Sequence, residues 1–198
     1  MAMAETPAAA APTTSSRSRS TATDLALIAA FAALIAACAV VGGIPTGSGV
    51  DITLQTFGVL LAGCLLGAVR GFLSVSLYLL LGAMGLPVFA AHSGGLASFS
   101  GVSSGYLLAF PFAAALAGFL VQHGARTRAS YVFLAAMAGT VLIHVCGTVW
   151  LKFYLDVTLW QAIKFDAPFW VGDIIKAALV AFVAAEVHRA FPRLLDRD

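Results

Sequence analysis

The chain has 198 residues, of which 61% are hydrophobic and only 10% are charged, and its formal net charge is +2. Soluble domains carry about 25% charged residues, so this composition excludes a water-soluble fold and indicates one membrane domain of several helices. The small net charge gives no sign of nucleic-acid binding, and Cys38, Cys64 and Cys146 lie in apolar runs without the spacing of a metal or disulfide site.

The first 23 residues are mainly Ala, Ser, Thr and Pro, with Arg17 and Arg19 as basic residues. Such a segment cannot bury enough apolar surface to fold, so we predict a disordered basic tail over residues 1–23. The same composition is typical of an organellar transit peptide and of a cytoplasmic basic tail, and both interpretations stay open.

Six apolar segments, separated by turn-rich stretches, predict an all-α integral membrane domain over residues 24–192. The predicted transmembrane helices are Leu25–Val41, Ile52–Ala68, Phe72–Met84, Gly105–Val121, Tyr131–Leu151 and Val171–Phe191. The Gly/Ser-rich stretch Val88–Ser104 is too weakly apolar to span and is predicted as a loop. The amphipathic, aromatic segment Lys152–Pro168 is predicted as a short interfacial helix, and residues 193–198 as a C-terminal tail.

Arginine positions predict the orientation. With six spans and a cytoplasmic N-terminus, both termini are cytoplasmic and every arginine falls on the cytoplasmic side. The arginines are Arg17, Arg19, Arg70, Arg126, Arg128, Arg189, Arg193 and Arg197. The loops around Pro45–Thr53, His92 and Trp160 then face outside.

A stripe of small residues marks the first predicted span, where Ala29, Ala33 and Ala37 recur at every fourth position. Such a stripe lets another helix approach closely. The stripe either receives another helix closely or packs inside the bundle, and the residues alone do not separate these alternatives.

Polar residues of the predicted outer half suit a small polar molecule with an apolar body. Asp173 and Lys176 are three residues apart and share a helix face, and an ionised side chain at the membrane centre costs about 2.5–3.5 kcal/mol unless it is paired or hydrated. Asp173 can accept from N–H groups, Lys176 can donate to a carbonyl or carboxylate, and a glycine backbone can hold an anion. The candidate binding residues are Thr53, Gln55, Tyr78, His92, Gly94, Gly95, Trp150, Asp173 and Lys176.

An enzyme is the alternative class of function for this sequence. Gly101–Gly105 has a GxSxG pattern, and with His144 it would permit a Ser–His dyad of the rhomboid-like intramembrane protease type. No predicted strand precedes it, so it is not a hydrolase elbow. The sequence also contains no Walker motif and no evident inverted repeat. A binding subunit that is energised by other proteins fits these observations better.

Several ordered blocks resemble the BioY family, the biotin-specific S components of energy-coupling-factor (ECF) transporters. The resemblance extends from about Thr53 to Ala185. Its blocks are Thr53–Phe57, Leu60–Gly63, Leu66-Gly67, Leu77–Gly82, Gly85–Ala90, Gly94-Gly95, Gly105–Leu108, Phe110-Pro111, Pro168-Phe169 and Gly172–Lys176.

The resemblance implies a six-helix S-component fold in a bacterial inner membrane, with biotin as the transported ligand and no cofactor. It implies partnership with a transmembrane T component and a pair of ATPases, docked at Ala29, Ala33 and Ala37. The sequence departs from the family pattern at Asp51-Ile52, where a proline-led pair is expected, and at Gly101–Gly105, which replaces a Gly-Pro-Thr-Gly-Gly-like run. The second departure changes the loop in which contacts to a carboxylate are expected.

The resulting hypothesis places the ureido head of biotin on Asp173 and Lys176 and its valerate carboxylate on the Gly94-Gly95 backbone. Tyr78 and Trp150 would flank the apolar body. Two alternatives remain at this point: an S component for thiamin or riboflavin, and the protease described above. The sequence also leaves open whether the chain transports alone, as a homo-oligomer or only with its energising partners.

Overall fold

The structure is a computed structural model that describes residues 15–46, 49–192 and 194–195. Within them the chain forms a bundle of six α-helices, as the sequence predicts. The helices are α1 (Ser15–Val40), α2 (Gln55–Leu66), α3 (Ala68–Ala83), α4 (Ser104–Gln122), α5 (Ala129–Tyr154) and α6 (Leu159–Ala190).

Thr21–Val40 of α1 and the helices α4, α5 and α6 are long and apolar enough to cross a membrane, with mean hydropathies of 2.2, 1.8, 2.0 and 1.6. The helices α2 and α3 are apolar but have 12 and 16 residues, which is short of the roughly 20 needed to span a bilayer. The length criterion therefore supports four spans, with two shorter helices packed among them. The side of the membrane that each terminus faces stays a prediction.

The two short helices form a tight hairpin around Gly67, whose φ of 87° is accessible to glycine at little cost. A Cβ atom on Gly71 would lie 2.7 Å from the Cα of Gly63, and one on Gly63 would lie 2.2 Å from the carbonyl oxygen of Ala114 in α4. Both distances are far below van der Waals contact. The glycine-rich hairpin is therefore closely packed, and it also packs directly on α4.

The beginning of α1 differs from the predicted tail. The helix starts at Ser15, so it overlaps the predicted disordered segment from Ser15 to Thr23. Ser, Arg, Thr and Ala are tolerated in helices, and here they continue the apolar span. Residues 1–14 of the predicted N-terminal tail lie outside the described residues.

The C-terminal segment folds back on the bundle. Nη2 of Arg70 donates to the carbonyl oxygen of Leu194 at 3.0 Å, and Leu195 is buried. Residues 193 and 196–198 of the predicted C-terminal tail lie outside the described residues.

The predicted interfacial helix over Lys152–Pro168 is wrong. Helix α5 continues to Tyr154, and Thr158 then caps the start of α6. The Thr158 hydroxyl accepts from the backbone N–H of Gln161, while the Gln161 side chain accepts from the backbone N–H of Thr158, which is a capping box. The second half of the segment therefore forms the first turns of α6, with Pro168 inside the helix.

Three connections meet at one end of the bundle, which we call the loop end: residues 41–54, 84–103 and 155–158. The first contains an antiparallel bridge between Ile44 and Ile52. The second contains two short 3-10 helices, Ala90–His92 and Leu96–Phe99. The first two of these segments lie over the ends of the helices, and a cavity remains between the segments and the helix ends.

Candidate functional site

A cavity of about 290 Å³ lies at the loop end, close to the lower limit of the range typical of small-molecule sites. Its wall is built by α2, α4, α5 and α6 together with the first two loop-end connections. Four predicted site residues line it: Thr53, Gln55, Asp173 and Lys176.

Asp173 and Lys176 form the buried ion pair that their spacing predicts. Nζ of Lys176 lies 2.7 Å from Oδ1 of Asp173, and the two residues are 7% and 3% exposed. The hydroxyl of Thr56 donates to the same Oδ1 at 2.8 Å and accepts from Nζ at 3.1 Å. These mutual hydrogen bonds compensate the desolvation of both charges and hold them in one geometry.

His144, on α5, joins this pair to a second carboxylate. Its Nε2 lies 3.1 Å from Oδ2 of Asp173, and its Nδ1 lies 2.8 Å from Oδ1 of Asp166. Carboxylate oxygens only accept hydrogen bonds, so a ring that carries both protons satisfies both contacts. Two cationic groups then face two carboxylates. We call Asp166, His144, Asp173 and Lys176 the buried charge cluster.

Asp166 is held by two further donors. The Tyr106 hydroxyl donates to Oδ1 at 2.8 Å, and Nε1 of Trp170 donates to Oδ2 at 2.9 Å. The Trp170 ring also stacks on the His144 ring, with centroids 4.4 Å apart and planes 18° apart. The buried charge cluster is therefore fixed by side chains from α2, α4, α5 and α6.

Sequence reasoning did not identify Asp166 as part of the site. Asp166, Trp170 and Asp173 follow one another at four and three residues, a spacing that places them on one face of a helix. That signal was available, but the prediction of an interfacial segment ending at Pro168 divided it between two elements.

Gln55 lines the cavity, and Tyr78 lies behind it. Nε2 of Gln55 donates to the Tyr78 hydroxyl at 2.6 Å, and that hydroxyl donates to the carbonyl oxygen of Val88 at 3.2 Å. Tyr78 is fully buried and is absent from the described cavity wall. In this arrangement Tyr78 orients Gln55 and anchors the loop, whereas the sequence hypothesis had it flank the ligand.

The structure does not bring Gly94, Gly95, His92 or Trp150 into the described cavity wall. The N–H of Gly95 already donates to the carbonyl oxygen of Gly82 at 2.7 Å, and a Cβ on Gly94 would lie 2.2 Å from the Leu86 carbonyl oxygen. Gly95 thus ties the loop to α3, and Gly94 lies against the backbone of Leu86 within the loop, whereas the sequence hypothesis assigned their backbone to an anion.

His92 and Trp150 also lie outside the described cavity wall. His92 is exposed, with φ of 56°. Nε1 of Trp150 donates to the carbonyl oxygen of Gly101 at 2.9 Å, so this side chain supports the loop from outside.

The loop side of the cavity is lined by hydroxyl groups, backbone and one carboxylate. Its polar side chains include Asp51, Ser93, Ser98 and Ser103. Among the lining residues that the structure describes, the basic side chains are His144 and Lys176, and both belong to the buried charge cluster. Charge is therefore distributed unevenly along the cavity.

The described contacts do not form a Ser–His dyad. Both ring nitrogens of His144 face carboxylates. The Ser104 hydroxyl donates to the carbonyl oxygens of Gly101 and Ser98, and Ser103 lines the cavity without a described contact to His144. The GxSxG pattern is thus the turn that leads into α4.

The alanine stripe of α1 faces outward. Ala29, Ala33 and Ala37 are all exposed, whereas Ala32 and Ile35 on the opposite face are buried in the bundle. Packing of the stripe inside the bundle, one of the two alternatives from the sequence, is therefore wrong for this structure.

Comparison with known proteins gives concordant matches. The BioY family profile matches residues 11–193. The biotin transporter BioY of Rhodobacter capsulatus is 38% identical over 188 residues, covering 87% of this chain and 96% of that protein. The probable biotin transporter BioY of Pyrococcus horikoshii is 38% identical over 165 residues, covering 83% and 96%. A crystal structure of the S component for biotin from an ECF-type ABC transporter aligns with a TM-score of 0.83 and 31% identity, covering 90% of this chain and 95% of the other.

Proposed function

We propose that this chain, which belongs to the BioY family, binds biotin in the cavity at the loop end and delivers it for uptake. It acts as the S component of an ECF transporter and is a transport protein, not an enzyme. The observation that carries the proposal is the buried Asp173–Lys176 pair in the wall of a cavity of small-molecule size.

The hydrogen-bonding capacity of this pair suits a ureido group. Asp173 has about four acceptor sites, and the described contacts use three: Lys176, Thr56 and His144. Lys176 has three donors, and the described contacts use two. One acceptor site on Oδ2 of Asp173 and one donor on Lys176 therefore remain. A cyclic urea offers the complementary N–H and C=O groups on adjacent atoms.

The rest of the cavity suits the remainder of biotin. Apolar and aromatic side chains line its middle: Phe89, Tyr106, Leu107, Phe110, Ile143 and Phe169. They would contact the fused ring and the methylene chain. The carboxylate would then lie on the loop side near Ser93, Ser98 and Ser103. This revises the sequence hypothesis, because the Gly95 N–H is already engaged with Gly82.

The energising partners are an ECF T component and a pair of ATPases, and the exposed stripe Ala29, Ala33 and Ala37 is the proposed docking face. Small side chains on a lipid-exposed helix allow the backbone of a partner helix to approach closely. The proposed location is a bacterial inner membrane, with the chain multi-pass and both termini cytoplasmic. Ala33→Leu should reduce biotin uptake in cells while leaving biotin affinity unchanged.

A matched control for that variant is Ala178→Leu, which adds the same bulk to an exposed alanine of α6, away from the α1 stripe. Equal uptake by both variants would contradict docking at the stripe. Uptake measured with and without the T component and ATPases would show whether the chain transports by itself, and sizing of the purified protein would show whether it forms a homo-oligomer.

The direct test of ligand identity is titration of the purified, detergent-solubilised protein with biotin, thiamin and riboflavin. Saturable binding of biotin alone is expected. Saturable binding of thiamin or riboflavin in place of biotin would assign a different vitamin, and absence of biotin binding both to the isolated chain and to its complex with partners would overturn the proposal.

A further inference from the structure

Asp166 is a buried carboxylate that the proposed ligand contacts leave unused. It is 3% exposed and is absent from the described wall of the loop-end cavity. It nevertheless accepts three hydrogen bonds, from Tyr106, His144 and Trp170. A buried, ionised carboxylate is costly unless it is paired and hydrogen-bonded, so this degree of engagement calls for an explanation.

We propose that Asp166 is a positioning residue for biotin recognition, acting through His144 on Asp173. This inference rests on the proposed function. The chain of contacts is short, because Asp166 holds Nδ1 of His144 at 2.8 Å and the opposite nitrogen, Nε2, reaches Oδ2 of Asp173 at 3.1 Å. Fixing one side of an imidazole sets the direction and proton occupancy of the other.

The His144 ring has little freedom to move away from this line. Its Nδ1 is held by Asp166, and its face is covered by the stacked ring of Trp170 at 4.4 Å. Trp170 in turn donates to the other oxygen of Asp166 at 2.9 Å. Asp166 and Trp170 therefore form a support that aims His144 at Asp173.

Because His144 is held in place, the plane of the Asp173 carboxylate is fixed as well. Its two oxygens are held from opposite directions, Oδ1 by Lys176 and Thr56 and Oδ2 by His144. Loss of the His144 contact would free the carboxylate to rotate toward Lys176. The acceptor site assigned to the ligand would then change direction, although Asp173 itself would remain in place.

The charge balance of the cluster leads to the same conclusion. With a doubly protonated His144, two cations face two carboxylates. Removal of the Asp166 charge would leave His144 and Lys176 with Asp173 as their common anion. Either His144 gives up a proton, which removes the donor to one carboxylate, or Asp173 redistributes its contacts between two cations. Both outcomes alter the group that faces the ligand.

A purely structural role is the competing explanation, since Asp166 also ties together α4, α5 and α6 through Tyr106 and His144. The two roles are separable. A positioning residue that acts through Asp173 should matter for biotin only while Asp173 carries its carboxylate. A residue that supports the packing of the bundle should matter regardless of what stands at position 173.

The experiment is a double-mutant cycle on the purified full-length protein, with the dissociation constant of biotin as the readout. Asp166→Asn should weaken binding by roughly tenfold in the wild-type background and by less than about twofold in the Asp173→Asn background, as expected for coupled neighbours. An equal loss in both backgrounds would overturn the inference.

Two further variants keep the test decisive. Trp170→Phe removes one donor to Asp166 but keeps an aromatic ring against His144. It should weaken biotin binding by roughly threefold, and the loss should again disappear with Asp173→Asn. Asp156→Asn removes an exposed carboxylate at the same end of the bundle and should leave affinity unchanged. If Asp166→Asn does not fold, the Trp170→Phe cycle gives the answer alone.

The proposed function and this inference fail in different ways. A wild-type protein that does not bind biotin, with or without partner subunits, would overturn both. A wild-type protein that binds biotin, with affinity unchanged by Asp166→Asn and Trp170→Phe, would overturn the positioning role and leave the biotin site standing.

Discussion

The two sides of the cavity differ in structure, since one is formed by helices and the other by loops. On the helical side, Thr56, His144, Asp173 and Lys176 come from α2, α5 and α6, and their contacts lie between 2.7 and 3.1 Å. On the loop side the wall is irregular backbone and serine hydroxyls, with Ala91 at a positive φ of 53°. A site held by rigid elements keeps its geometry, whereas loops adapt.

This difference assigns separate tasks to the two sides. The helical side carries the charges and offers a defined donor and acceptor, so it sets which head group is recognised. The loop side offers hydroxyls and backbone without a cation among the described lining residues, so it contributes enclosure more than selectivity. Changes on the helical side should therefore cost more affinity than equally small changes on the loop side.

The largest effect is expected for Lys176→Met, which keeps the length of the side chain and removes its charge. Asp173 would lose its counterion at 2.7 Å, and the ligand would lose its cationic donor. Biotin affinity should fall by about 100-fold, as when one partner of a buried charge pair is removed. Lys164→Met is the matched control, because Lys164 is exposed on the same helix. Similar dissociation constants for both variants would contradict the claim that the helical side of the cavity determines biotin affinity.

An intermediate effect is expected for Gly82→Ala at the junction of α3 and the loop. An added Cβ would lie 2.0 Å from Cζ of Phe89, whose ring lines the cavity. The ring would be displaced, so both biotin affinity, by about tenfold, and the melting temperature should fall.

Gly172→Ala controls for the substitution itself, since the nearest atom to its added Cβ is Cγ2 of Ile52 at 3.8 Å. Within a helix this change alone stabilises by about 1 kcal/mol. Equal biotin affinities for Gly82→Ala and Gly172→Ala would show that the position of Phe89 is not important for the cavity wall.

The smallest effect is expected from a change in the ligand. Conversion of the biotin carboxylate to a primary amide removes a charge that faces the loop side, where the described lining residues carry hydroxyls and Asp51 but no cation. Affinity should change by less than about fivefold, because no ion pair with a cation is lost and the amide oxygen still accepts from hydroxyl groups. A much larger loss, measured by competition against biotin, would reveal a cation or anion-binding backbone on the loop side.

Local patterns in the sequence were sufficient for the features that depend on neighbouring residues. The helix count followed from apolar length, and the Asp173–Lys176 pair followed from a spacing of three residues. The limits of α6 were harder to predict, because Pro168 is usually unfavourable inside a helix but is accommodated here.

Features that depend on distant residues could not be predicted in the same way. His144 reaches Asp166 and Asp173 across 22 and 29 residues, so its role emerges only when α5 and α6 pack together. The backbone N–H of Gly95 is a second example of a tertiary contact. It was predicted to be free for a ligand, but tertiary packing gives it to the carbonyl oxygen of Gly82.

The most direct measurement of the central claim is the dissociation constant of biotin for Asp173→Asn beside that for Asp156→Asn. Asparagine keeps the size of the side chain while removing the charge and one acceptor oxygen at the helical side of the cavity. The expected result is a loss of roughly tenfold or more for Asp173→Asn and wild-type affinity for the exposed Asp156→Asn. Wild-type affinity in both proteins would contradict recognition of the biotin head group by the Asp173–Lys176 pair.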